Sequence, residues 1–105
     1  MVTGSPGDAT IISTTLESIL NVVDFGMNMQ QSVDAPRMHQ QWYPQVVYVG
    51  PGLLTPEAQQ ALEAMGYEFK LFSGGADEAI LVNSKTGLLE GANDPRRPAG
   101  LAAGY

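Results

Sequence analysis

A chain of 105 residues with 11 acidic side chains against five basic ones, net charge −6, has length for one domain at most. Its 44% hydrophobic and 15% charged content belongs to a folded globular chain, and so few Lys and Arg leave no electrostatic footprint for nucleic acid or an anionic membrane. With no cysteine there is no disulfide, thiolate nucleophile or thiolate metal site.

The opening Met-Val-Thr-Gly reads as the end of a strand already under way, and it lacks the basic and apolar regions of a signal peptide. A glycine-bracketed turn, Gly4-Ser5-Pro6-Gly7-Asp8, then leads into a helix expected over residues 10–24. Ile12, Leu16, Ile19, Leu20 and Val23 form one apolar stripe on that helix, with Asp8 as its expected N-cap and Gly26 beyond its end. No apolar stretch reaches the roughly 18–20 residues of a membrane helix.

A second, short helix is expected to start at Asn28, with Gln31 at its N3 position, and to stop before Pro36. "PRMHQQWYPQ" reads as an ordered connection, and "VVYV" (46–49) as a strand. The third helix has Thr55 as N-cap, Pro56 at N1 and Glu57 in its first turn, with Ala58, Ala61, Leu62 and Met65 as the expected buried face and Gly66 at its end. "YEFKLF" alternates as a half-buried strand, "AILV" and "LLEG" flank a hairpin turn "NSKTG", and the tail "ANDPRRPAGLAAGY" is turn-rich. The fold class is therefore mixed α/β, with little sign of repeated parallel units.

Few side chains here suggest chemistry of their own. His39 is the sole histidine; nothing places a serine beside it, and without cysteine it makes a poor metal set, so a hydrogen bond within its proline-bounded loop is expected. Trp42 and Tyr43 read as packing residues, and Asp94, Arg96 and Arg97 as an ion-paired turn. Glu57, Glu63, Glu68 and Glu78 lack any paired spacing for acid–base work. The turn at residues 4–8 is different, because backbone N–H groups ahead of a helix can hold negative charge.

Three stretches, "VTGSPGDATI", "APRMHQQWYP" and "GANDPRRPAGLAAGY", together with "VDFGMN" and "LEAMGYEF", resemble the γ-glutamyltransferases (γ-glutamyltranspeptidases) in order and spacing over essentially the whole chain. The resemblance is to the C-terminal portion of that family's small subunit. It implies part of an N-terminal-nucleophile hydrolase αββα sandwich, with helices on one face of a mixed sheet, and residues 1–105 as a single partial domain. The implied reaction passes a γ-glutamyl group from glutathione or a similar compound to water, an amino acid or a peptide, without a cofactor or metal. The attacking group in that family is an N-terminal threonine whose own amine serves as base.

The matching region begins downstream of that threonine, so no catalytic residue is expected in this chain and the isolated chain is expected to be inactive. Thr3 does not replace it, because its amine is in a peptide bond. The site residues carried over are Gly7 and Asp8, at the positions of two consecutive glycines whose N–H groups stabilise the oxyanion. Here the second glycine is Asp8, and Thr10 stands where the family has an arginine. Asp8 keeps the backbone donor but sets a carboxylate beside developing negative charge. The implied partners are the rest of the small subunit and the large subunit, or self-association of the chain. A truncated interaction domain and an amidase or acylase cousin are the alternative readings. Many members of the family are periplasmic, secreted or surface-bound.

Overall fold

A computed structural model describes residues 1–104. Two compact units emerge, one from residues 1–35 and 74 onward, the other from residues 36–73.

The first unit contains β1 (Val2–Gly4), α1 (Thr10–Val23), α2 (Met29–Asp34), β5 (Glu78–Val82) and β6 (Leu89–Asn93). The strands form an antiparallel sheet ordered β1-β5-β6, with Thr3 opposite Ala79 and Ala79 opposite Ala92. Strand alternation turns Ala79 and Ala92 inward, where they meet Met29 and Val33 of α2 in the core, with Val22 and Leu81 packed beside them. The alanines are small enough to bring the short helix close to the sheet.

Helix α2 is set by its cap. Asn28 accepts from the Gln31 N–H at 2.8 Å, and the Gln31 side chain accepts from the Asn28 N–H at 3.0 Å, the reciprocal box expected from the sequence. The residue before Pro36 is extended, and the helix ends at Asp34. The hairpin at Asn83–Gly87 and the strand at Val2–Gly4 also lie where expected.

Helix α1 runs as expected but presents the opposite face. Its buried residues are Thr14 and Ser18, while Ile12, Leu16, Ile19, Leu20 and Val23 are exposed, Ile12 at 74%. Close approach explains the inversion. A Cβ on Gly75 would lie 2.7 Å from the Thr14 hydroxyl, and Ser32 donates to the Ser18 carbonyl at 2.9 Å, so only short side chains fit beneath α1. Asp8 is not the N-cap either. Ala9 occupies that position without a side-chain bond, because Asp8 adopts a left-handed conformation at φ 53°.

The second unit contains β2 (Met38–His39), β3 (Val47–Val49), α3 (Pro56–Ala64) and β4 (Phe69–Leu71). Here the sheet is mixed: β3 pairs antiparallel with β2 and parallel with β4. The segment read as a connection thus contains a short strand. Thr55 caps α3 through a bond from the Ala58 N–H at 3.2 Å, and Pro56 follows at N1. Its expected apolar face is not buried: Ala58 and Leu62 are half-covered, Ala61 and Met65 are exposed. Trp42 and Tyr43 are exposed as well, at 83% and 79%, so they do not pack within this unit.

Replacing Asn28 with Ala removes one half of the reciprocal cap and is expected to destabilise the protein by about 1 kcal/mol, read from the midpoint of urea unfolding.

Candidate functional site

The turn before α1 owes its shape to two consecutive positive-φ residues. Gly7 lies at φ 123°, which glycine alone adopts readily, and Asp8 follows at φ 53°. Carbonyls from this turn satisfy the first helical N–H groups: Thr10 N–H donates to Gly7 O and Ile11 N–H to Asp8 O, both at 3.2 Å. The Thr10 hydroxyl also donates to Gly7 O. Ser5 donates to Pro6 O at 3.0 Å, bracing the approach to the turn.

Among the described residues, the N–H groups of Gly7 and Asp8 donate to no carbonyl or side chain. Both residues are exposed. Two adjacent free donors at the positive end of a 14-residue helix can hold an anion or a developing oxyanion. The Asp8 carboxylate, on the same residue as one donor, opposes that use electrostatically.

Behind the turn lies a set of buried polar groups. The Thr3 hydroxyl donates to Asp77 Oδ1 at 2.6 Å, and the Asp77 N–H donates to Asp94 Oδ2 at 2.9 Å. Asp94 is fully buried; its Oδ1 accepts from the Arg96 N–H at 2.9 Å and from the Arg96 guanidinium at 3.0 Å. The guanidinium continues to the Val33 and Ala35 carbonyls at 3.0 and 2.8 Å, closing the C-terminal end of α2. The expected ion-paired turn is present in Asp94 and Arg96, with its purpose visible in the cap. Sequence reading named the pair but missed Asp77 and Thr3, whose link spans 74 positions and has no local signature.

His39 belongs to the second unit. Within the second unit it is buried, its Nε2 lies 2.8 Å from Gln41 Oε1, and its ring stacks on Tyr48 at 6.3 Å. The hydrogen bond expected from the sequence is present, but His39 makes it from strand β2 rather than from a loop. Among the described residues, no cluster of three or more His, Cys, Asp or Glu could hold a metal, and no helix is long and apolar enough to cross a membrane.

The family model of gamma-glutamyltranspeptidase matches residues 1–104. The chain belongs to the gamma-glutamyltranspeptidase family. It is 43% identical to a glutathione hydrolase proenzyme of Pseudomonas sp. (strain A14), covering 100% of this chain and 20% of that protein. The chain therefore spans about a fifth of the length of that relative. Among solved structures, the gamma-glutamyltranspeptidase of Pseudomonas nitroreducens complexed with L-DON gives a TM-score of 0.82 at 34% identity, covering 98% of this chain and 55% of that one. A cephalosporin acylase from Bacillus halodurans gives 0.77 at 28% identity, covering 90% of this chain and 18% of that one. The fold is thus that of the N-terminal-nucleophile hydrolases, mixed α/β as the sequence implied.

Replacing Arg96 with Met keeps the side-chain bulk but leaves the buried Asp94 without its cation and α2 without its cap. Urea unfolding is expected to show a loss of about 3 kcal/mol, while Ala at the exposed Arg97 changes it by less than about 0.5 kcal/mol.

Proposed function

We propose that this chain supplies the oxyanion-binding turn of a γ-glutamyl acyltransferase or hydrolase, with Gly7 and Asp8 as backbone donors. The observation that carries the reading is the pair of free, adjacent N–H groups ahead of α1, in a chain of this family. A threonine from outside this chain attacks the γ-glutamyl carbonyl carbon, and its hydroxyl proton passes to its own α-amine. Negative charge then develops on the carbonyl oxygen, where the donors of the turn face it. Collapse expels the amine, which takes up that proton, and water or an acceptor amine releases the acyl group in a second, equivalent step. The substrate class is γ-glutamyl compounds such as glutathione.

Asp8 is the residue that discriminates this reading from a plain helix-leading turn. In the gene product that carries this chain, Asp8→Gly removes the opposing carboxylate and suits the positive φ. Turnover of γ-glutamyl-p-nitroanilide is expected to rise about tenfold in kcat with KM within about twofold. Asp8→Asn, which tolerates the left-handed region, is expected to recover most of that gain. Unchanged or reduced kcat in both variants would remove Gly7 and Asp8 from the oxyanion site. The 105-residue chain alone is expected to release no nitroaniline, since its nucleophile lies elsewhere; turnover by it would overturn that assignment.

An interaction domain is the second reading, favoured by the outward apolar stripe of α1. On that reading the isolated chain self-associates, and light scattering that finds strictly monomeric protein counts against it. The likeness to the cephalosporin acylase favours an acylase cousin as a further variant, distinguished by turnover of acyl anilides that lack the α-amino group of glutamate.

A further inference from the structure

We infer that Asp77 is a positioning residue for the anion-binding turn, acting through the hydroxyl of Thr3; this rests on the reading of Gly7 and Asp8 as oxyanion donors. Strand β1, which delivers the turn, has three residues and pairs with β5 alone. Nothing lies within 4 Å of where a Gly4 side chain would begin, so the strand's last residue offers no side-chain packing of its own. Ser5 bonds only to the neighbouring Pro6 carbonyl, and Thr10 bonds back into the turn itself. Of the side-chain bonds around this strand and turn, the one from Thr3 to Asp77 Oδ1 reaches beyond them, to the residue ahead of β5.

Asp77 is built as a fixed mount for that bond. It is fully buried just ahead of β5, and its own N–H is held by Asp94, which Arg96 holds in turn. Its second oxygen, Oδ2, has no partner among the described residues. A buried carboxylate with an unmet oxygen is unfavourable for stability, and an apolar side chain of similar volume would suit the site better on that ground alone. What a carboxylate offers here that an apolar side chain cannot is the bond accepted from Thr3. Thr3 lies four positions before Gly7, so movement at this bond swings the donors away from the carbonyl oxygen they face.

Removing the Asp77 side chain endangers the fold, so Thr3 carries the test. In the gene product that carries this chain, Thr3→Val keeps the shape and strand preference but deletes the donor; Thr3→Ser keeps the donor. Thr3→Val is expected to raise amide hydrogen exchange across β1, where Val2–Gly4 pair with β5, about tenfold, with the amides of α3 unchanged. It is also expected to lower kcat on γ-glutamyl-p-nitroanilide about tenfold with KM within about twofold, and Thr3→Ser restores both. Exchange and kcat both unchanged in Thr3→Val, or no rescue by Thr3→Ser, would overturn the inference. So would a loosened turn with unaltered kcat; the oxyanion reading would then still stand or fall separately on the Asp8→Gly result. If the unaltered gene product shows no turnover, that reading fails, and hydrogen exchange alone decides whether Asp77 holds the turn.

Discussion

The buried Asp94 carboxylate is the constraint on which the first unit depends. A fully buried charge is tolerable only when nearly every lone pair is met and a counter-charge is at hand. Asp94 has both: the N–H groups of Asp77 and Arg96 and the Arg96 guanidinium converge on it. Through those donors one side chain fixes the start of β5, the end of β6 and, by way of the guanidinium, the carbonyls that close α2. The salt bridge itself contributes little net stability once desolvation is counted. Its value is geometric, since three elements distant in sequence share one set of bonds.

Local chemistry explains which parts of this arrangement were legible in the sequence. Asn28 with Gln31, Thr55 with Pro56, and the glycine after Asn83-Ser84-Lys85-Thr86 are short-range signals, and the elements they mark formed where expected. Asp94 and Arg96 sit two positions apart, so their pairing was also readable. Thr3 and Asp77 meet only because β1 pairs with β5, and no window of sequence contains both. The distinction is one of range rather than of strength: the 2.6 Å bond from Thr3 is among the shortest side-chain contacts in the chain.

Periodicity misled in a more instructive way. The apolar stripe of α1 is real, yet the unit buries its Thr14 and Ser18 face instead. Hydrophobic spacing says that a face needs a cover, not that the same chain provides it. Close contact with Gly75 and Ser32 selects small polar residues on the inner side, leaving the large apolar ones outward. The same holds for α3, where the face containing Met65 stays exposed, and for Trp42 and Tyr43. Relatives in which this region is about a fifth or half of the chain supply the context in which such faces become intelligible.

At the turn itself, two requirements pull against each other. The turn takes two consecutive positive φ values, and at the second position that geometry costs an L-residue about 1 kcal/mol relative to glycine. Asp8 accepts that cost and, on the proposed role of the turn, sets a negative charge beside a donor for negative charge. Because Asp8 is exposed, water and salt screen its charge at the turn. On the proposed role, the balance depends on how much solvent remains at the turn when substrate binds. A wet turn tolerates Asp8; a turn closed against water turns the same carboxylate into the dominant opposition to the oxyanion.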